Sequence, residues 1–151
     1  MKLSITTLLM TMLLASPALA DSLVNIEQVG FQQNAVVEQS GDNSQVDIRQ
    51  EGAQNATLIV TRGAGNVVDG IQDDTNNYAE VTQLGNNQLA SFSQVGADNL
   101  ALINQSANAF GSAATISQQG LGNNAQIYQN NANSVASITQ RGSGAVAIIR
   151  Q

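Results

Sequence analysis

The strongest constraint on this chain is a glutamine that recurs every eleven residues. The series runs from residue 28 to residue 105, shifts by two residues, and resumes from residue 118 to residue 151. Its twelve positions hold eleven glutamines and one threonine: Gln28, Gln39, Gln50, Thr61, Gln72, Gln83, Gln94, Gln105, Gln118, Gln129, Gln140 and Gln151. Because low-complexity drift would not keep this spacing, the pattern indicates a structural unit that is copied along the chain.

Residues that precede each series position by two are apolar, with one glycine at Gly70. Charged residues such as Glu27 and Glu38 fall on the intervening positions. A spacing of two between constant and variable residues is typical of a β-strand with one buried face. The predicted core therefore contains Ile26, Val37, Ile48, Ile59, Val81, Phe92, Ile103, Ile116, Ile127, Ile138 and Ile149.

Glycine follows the series position by two residues in eight of the eleven connections. Glycine adopts positive φ at low cost, so these residues are predicted to turn the chain. Each unit is then a strand of about seven residues followed by an arc of about four. The predicted arc glycines are Gly30, Gly41, Gly52, Gly63, Gly85, Gly96, Gly120 and Gly142.

The full period is twenty-two residues, because serine is preferred at the start of the first strand of each pair and asparagine at the start of the second. One repeat is thus a strand–arc–strand unit, which we call a rung. Rungs must stack to bury their apolar faces, so the sequence predicts an all-β, cross-β solenoid with two facing sheets. Its six rungs are 22–39, 44–61, 66–83, 88–105, 112–129 and 134–151.

Inward-facing amides in such a stack lie above one another and can hydrogen-bond along the axis as ladders. The predicted ladder residues are the eleven glutamines of the series, together with Asn55, Asn77, Asn99 and Asn123. The first and last rungs would each expose unpaired backbone groups, the kind of edge that soluble proteins usually block. The sequence therefore predicts a chain that stacks on copies of itself.

Residues 1–20 combine a basic start at Lys2, an apolar run and the small-residue site Ala18-Leu19-Ala20, which predicts a secretory signal peptide and a mature chain of 21–151. The mature chain carries eleven acidic residues and four arginines, which argues against nucleic acid as a partner. It has no His, Cys or Lys for acid–base, nucleophilic or metal chemistry. We therefore expect no enzyme activity, small-molecule substrate, cofactor or metal site.

The pattern Ser-x5-Gln-x-Gly-x2-Asn-x-Ala-x3-Gln resembles the curlin repeat of curli fibre subunits. Its best copy contains Ser112, Gln118, Gly120, Asn123, Ala125 and Gln129. The resemblance covers essentially all of residues 21–151. It implies a functional amyloid of the biofilm matrix, exported by a Gram-negative bacterium to an extracellular or cell-surface fibre. It also implies other curlin subunits, a dedicated secretion pore and chaperones as partners.

Two features resemble the minor, nucleating curlin subunit more than the major one. Between the predicted signal peptide and the first repeat there is no Gly-rich segment, and the last repeat carries Arg141 and Arg150. The alternatives are a major fibre subunit and a non-polymerising β-solenoid adhesin.

Repeats two and three depart most from the pattern. We interpret Arg62, Asp69, Gly70, Asp73 and Asp74 as candidate gatekeepers, since charges and a missing core residue would slow premature assembly. Neutral drift in a tolerant rung is the alternative interpretation.

Overall fold

Six rungs of parallel strands form the structure, a computed structural model that describes residues 10–12 and 22–151. Sheet one contains β2 (Leu23–Phe31), β4 (Gln45–Ala53), β6 (Val67–Thr75), β8 (Leu89–Ala97), β10 (Ala113–Leu121) and β12 (Val135–Ser143). Sheet two contains β1 (Met10–Met12), β3 (Asn34–Ser40), β5 (Ala56–Arg62), β7 (Tyr78–Gln83), β9 (Leu100–Gln105), β11 (Asn124–Gln129) and β13 (Val146–Arg150).

Equivalent residues of successive rungs lie side by side in each sheet. Ile26 pairs with Ile48 in sheet one, and Val37 pairs with Ile59 in sheet two. Because all these pairs are parallel and keep the repeat register, identical positions form columns along the stack. The predicted all-β solenoid of six rungs and two sheets is confirmed.

The inward apolar columns of both sheets meet in one thin core. Its inner members are almost fully buried, from Val46 and Ile48 near the start to Ala125 and Ile127 near the end. Val24 and Ile26 in the first rung, and Ala147 and Ile149 in the last, are only partly buried. The difference arises because each end rung has a neighbouring rung on one side only.

The two arcs of a rung differ in length, so the predicted arc of about four residues is found after strands of sheet two but is wrong after strands of sheet one. Strands of sheet one are nine residues long and run through the glycine, as at Gly52 in β4. The arc that follows β4 is only Gln54 and Asn55. Strands of sheet two are shorter and are followed by longer arcs, such as residues 63–66. The strand continues past the glycine because its backbone still pairs with the equivalent glycine, as Gly30 does with Gly52.

The two-residue shift in the repeat falls in the arc between β9 and β10. Ala109 in this arc is fully buried, whereas Phe110 is exposed. Gln88 Nε2 donates to the Ser106 carbonyl oxygen at 2.6 Å and to that of Ala109 at 3.2 Å. Beyond the arc, Ala114 pairs with Ala90 in the normal register. The extra residues are therefore absorbed in the arc, and the columns continue without interruption.

Gly70 does not leave a gap in the core, so its interpretation as a missing core residue is wrong. A Cβ atom built on Gly70 would lie 2.1 Å from Phe92 Cζ and 2.8 Å from Ile48 Cδ1. The ring of Phe92, in the neighbouring strand β8, thus fills the volume that an isoleucine at position 70 would occupy. Gly70 and Phe92 are a complementary pair.

The predicted signal peptide lies outside the described residues except for Met10–Met12, and it stays a prediction. These three residues form β1, which pairs in parallel with Ala35, Val36 and Val37 at the edge of β3. Over residues 10–12 and 22–151, no helix is long and apolar enough to cross a membrane.

The Gly70–Phe92 pair predicts that two substitutions compensate one another. Gly70→Ile should lower the free energy of unfolding by about 1–3 kcal/mol through overpacking against the ring. Phe92→Ile should lower it by about 1–2 kcal/mol by leaving the space over Gly70 empty. The double variant should recover most of both losses, because it restores the isoleucine column. Urea unfolding of the four proteins measures the coupling, and additive losses would contradict the pairing.

Candidate functional site: amide ladders and open edges

The glutamine column of sheet one forms an uninterrupted ladder. Each Nε2 donates to the Oε1 of the glutamine in the next rung, at distances between 2.6 and 3.0 Å. From Gln50 to Gln118 the side chains are essentially fully buried. The ladder consists of Gln28, Gln50, Gln72, Gln94, Gln118 and Gln140.

From Gln50 to Gln140, each ladder amide also donates to the backbone of the opposite sheet. Gln50 Nε2, for example, donates to the Asn34 carbonyl oxygen at 3.1 Å and to Gln72 Oε1 at 2.6 Å. Both hydrogens of a buried amide therefore have acceptors, which offsets the cost of removing the amide from water. The ladder also links the two sheets.

The second ladder, in sheet two, is interrupted by Thr61. Gln83, Gln105, Gln129 and Gln151 are joined in the same direction by bonds of 2.9, 2.9 and 3.3 Å. Gln39 instead donates to the Ser44 carbonyl oxygen at 2.6 Å. Gln39 Oε1, Thr61 Oγ1 and Gln83 Oε1 are buried without a hydrogen-bond partner. A threonine hydroxyl is too short to span the two neighbouring amides, so Gln83 Oε1 lacks a donor and Gln39 Nε2 turns to a backbone carbonyl, whereas the unpaired Gln39 Oε1 belongs to the edge of the first rung.

An asparagine ladder lies at the two-residue arcs. The amide groups of Asn77, Asn99 and Asn123 each donate to Oδ1 of the asparagine in the preceding rung, at 3.0–3.3 Å. Asn55, the first member, donates its Nδ2 to the Asp74 carbonyl oxygen at 3.1 Å. In the last rung Ala145 offers only its backbone N–H, 3.0 Å from Asn123 Oδ1. The asparagines thus clamp each arc to the one beside it.

Seven of the eight predicted arc glycines have positive φ: Gly30, Gly41, Gly52, Gly63, Gly96, Gly120 and Gly142. Gly85 is outside this group, so the positive-φ prediction is wrong there; its arc bends by a bond from Gly85 N–H to Gln88 Oε1 of 3.2 Å. A Cβ on Gly52 would lie 2.0 Å from the Asp74 carbonyl oxygen. The glycine column therefore also permits close approach of neighbouring backbones.

A second column of positive-φ residues was not predicted. It comprises Gln32, Asn43, Gln54, Gly65, Asn76, Asn87, Asp98, Gly111, Gly122, Asn133 and Gly144. All but Gly111 stand four residues after a series position. The sequence contains a sign of this column, because most of its residues are Asn, Asp or Gly, which tolerate the left-handed conformation best. Eight of the eleven arcs are therefore built from two positive-φ residues rather than one.

The candidate gatekeepers, other than Gly70, face outward. Arg62, Asp69 and Asp74 are exposed, and Asp73 is half-buried. Asp74 occupies the glycine column with φ of 77°, and the pairing of β4 with β6 omits this position. Asp69 lies beside Asp47 in register, where two carboxylates repel one another. Their effect on assembly stays a prediction.

Two tyrosines lie on the outer face of sheet two. The hydroxyl of Tyr78 donates a hydrogen bond to Glu80 Oε2 at 3.2 Å. Partial burial is the main cause that raises the pKa of Tyr78, and the negative charge of Glu80 raises it further. In the last rung the guanidinium of Arg150 lies over the ring of Tyr128, 5.2 Å from its centroid. Such contacts orient an exposed arginine without burying it.

Chemically, this arrangement offers amides and backbone groups rather than a reactive centre. Among the residues that the structure describes, no three His, Cys, Asp or Glu side chains are grouped to hold a metal ion. Apart from the ladder break at Thr61, the core columns and the ladders end without a neighbouring rung at the two ends of the stack. These two ends form the candidate functional site.

Comparison with known proteins gives one family match. The family model described as "Curlin associated repeat" matches residues 20–52 and 75–106, which together make up less than half of the chain. No curated protein matches the sequence significantly. The matched segments carry the curlin repeat and lie in the β-solenoid.

The interrupted ladder predicts that Thr61→Gln stabilises the protein. The new amide would accept from Gln39 and donate to Gln83, so the free energy of unfolding should rise by about 1–3 kcal/mol. Thr61→Val is the matched control, because it removes the unpaired hydroxyl without adding an amide. Urea unfolding should place the glutamine variant above the valine variant, whereas equal stabilities would contradict the ladder explanation.

Proposed function

We propose that this chain is a structural subunit of a curli-type amyloid fibre that grows by stacking rung on rung. The observation that carries the proposal is the partial exposure of core residues in the first and last rungs. Val24 and Ile26 at one end, and Ala147 and Ile149 at the other, are partly exposed, although their equivalents inside the stack are buried. A neighbouring rung would cover them.

Backbone hydrogen bonds support the same proposal. Gln151 N–H donates to the Tyr128 carbonyl oxygen at 2.9 Å, so it points into the stack. Donors alternate in direction along a parallel strand, so the N–H groups of Val146, Ile148 and Arg150 point away from β11. Residues 22–151 contain no Pro or Lys, which commonly protect such edges. The last rung is thus suited to accept another rung.

The setting of this function follows from the curlin resemblance and the predicted signal peptide. We place the subunit in an extracellular fibre on the surface of a Gram-negative bacterium, where it contributes to biofilm matrix and adhesion. Its partners are copies of itself and other curlin subunits, together with the secretion pore and chaperones of a curli system.

Fibre formation tests the proposal. The purified protein should form thioflavin-positive fibres in negative-stain micrographs. Ile148→Pro should prevent growth at the β13 edge, because it removes an outward N–H while sparing the bonds to β11. Ile148 is 44% exposed, so the matched control Ile148→Ala should fold and form fibres. Discrete particles from the unaltered protein would instead support a non-polymerising adhesin.

Among curlin subunits, we propose the minor, nucleating role. Residues 106–151 contain Arg141 and Arg150 and no acidic residue, so the last rungs differ in charge from the acidic rungs before them. A distinct end is suited to a subunit that starts a fibre of another chain.

Seeding separates the nucleating role from that of a bulk subunit. Sub-stoichiometric amounts of this protein should shorten the lag of polymerisation of a major curlin, measured by thioflavin fluorescence. The Ile148→Pro variant is the control and should shorten it less. An unchanged lag with the unaltered protein would favour the role of a major subunit.

A further inference from the structure

The amide ladders give the solenoid a direction. In both sheets every ladder Nε2 points toward the next rung and every Oε1 toward the preceding one, as in the bonds from Gln118 to Gln140 and from Gln129 to Gln151. The first rung therefore presents acceptors at its edge, and the last rung presents donors.

The groups at each edge are already positioned for a partner. Gln39 Oε1, in the first rung, is buried and has no hydrogen-bond partner. In the last rung, Gln140 Nε2 donates to the Asn124 carbonyl oxygen and Gln151 Nε2 to that of Val135. Since an amide nitrogen carries two hydrogens, each of these groups keeps one donor for a further rung.

The two ends also differ in charge, and this difference favours the same contact between a first rung and a last rung. Residues 22–105 carry ten acidic residues and two arginines, whereas residues 106–151 carry only two arginines. Glu38 lies exposed in β3 of the first rung, and Arg150 lies exposed at the same repeat position in β13 of the last. Opposite charges at equivalent positions attract when the two rungs become neighbours.

We propose that a second copy of this chain docks its first rung on the last rung of the preceding copy, in the register that places Glu38 beside Arg150. In this register Gln151 Nε2 reaches the unpaired Gln39 Oε1, and Gln140 Nε2 reaches Gln28 Oε1. The inward residues match as well, since Ile26 meets Ile138 and Val37 meets Ile149. The inference rests on the proposed stacking function and specifies its direction and register.

The opposite arrangement, in which two first rungs meet, is disfavoured by the same groups. It would bring acceptors such as Gln39 Oε1 together without donors and would place Glu38 near its own copy. Two last rungs would likewise bring Arg150 toward Arg150. Buried acceptors without donors and adjacent like charges each oppose such a contact.

The first-rung edge already accepts a parallel strand in this structure. Met10–Met12 pair with Ala35, Val36 and Val37 of β3. This segment and a second copy would compete for part of the same edge. The edge of β2 has no such strand among the described residues.

Cysteine cross-linking tests direction and register together, because the chain contains no cysteine. Glu38→Cys and Arg150→Cys are made in separate proteins, which are mixed, assembled and oxidised. Neighbouring parallel strands lie ~4.8 Å apart, within the Cα separation that a disulfide spans. We expect a dominant disulfide between the two variants. Both positions are exposed, so the substitutions should leave the fold intact.

Control pairs of cysteine variants distinguish the proposed contact from other contacts. Val36→Cys mixed with Arg150→Cys should cross-link at least tenfold less, because a shift of two residues puts the Cα atoms roughly 8 Å apart. Dominant cross-links within the Glu38→Cys protein or within the Arg150→Cys protein would show ends of the same kind meeting. Preferred cross-linking of position 36 to position 150 would show a shifted register.

The cross-linking experiment distinguishes the proposed direction and register from the proposed stacking function. Fibres that form without a cross-link between positions 38 and 150 would overturn the direction and register but leave the stacking function standing. Failure of the unaltered protein to form fibres, with Met10–Met12 or another segment covering the edge, would overturn both.

Discussion

The fold depends on the burial of glutamine. A buried amide that lacks partners destabilises a protein by an amount similar to the gain from a buried aliphatic side chain. Here the partners come from the identical amide in the next rung, as in the 2.6 Å bond from Gln50 to Gln72. A slip of one residue would turn the amides outward, and any slip would break the bonds between them. The ladder therefore contributes more to selecting the register than to net stability.

Columns of equivalent residues also explain how the chain tolerates irregularities. Phe92 fills the space over Gly70, so one unusual residue is compensated by another in the adjacent rung. Thr61 has no such compensation, and the amide oxygen of Gln83 loses its partner. The arc at residues 106–112 takes up two extra residues while both sheets keep their register. A change in one rung thus acts mainly on its immediate neighbours, as expected for a linear repeat architecture.

The same columns link the fold to its proposed function. A globular domain closes its hydrogen bonds on itself, but this stack ends in rungs whose inward residues and ladder amides have one neighbour instead of two. Because the glutamine amides of both ladders point the same way, the two ends carry complementary groups. The charge difference between the acidic first rungs and the arginine-bearing last rung adds to this complementarity. Polymerisation, as proposed, would continue the interaction that already holds the rungs together.

The sequence by itself determined the period, the alternation of faces and the number of rungs, because each of these depends only on which residues recur at a fixed spacing. This spacing alone assigns Ile48 and Gln50 to the interior. Tertiary structure decided three further properties: the unequal arcs, most of which hold two left-handed residues, the common direction of the glutamine amides, and the filling of Gly70 by Phe92. These depend on backbone conformation and on the volumes of residues in adjacent columns. Periodicity shows which residues share a column, but it does not show how a side chain is oriented within it.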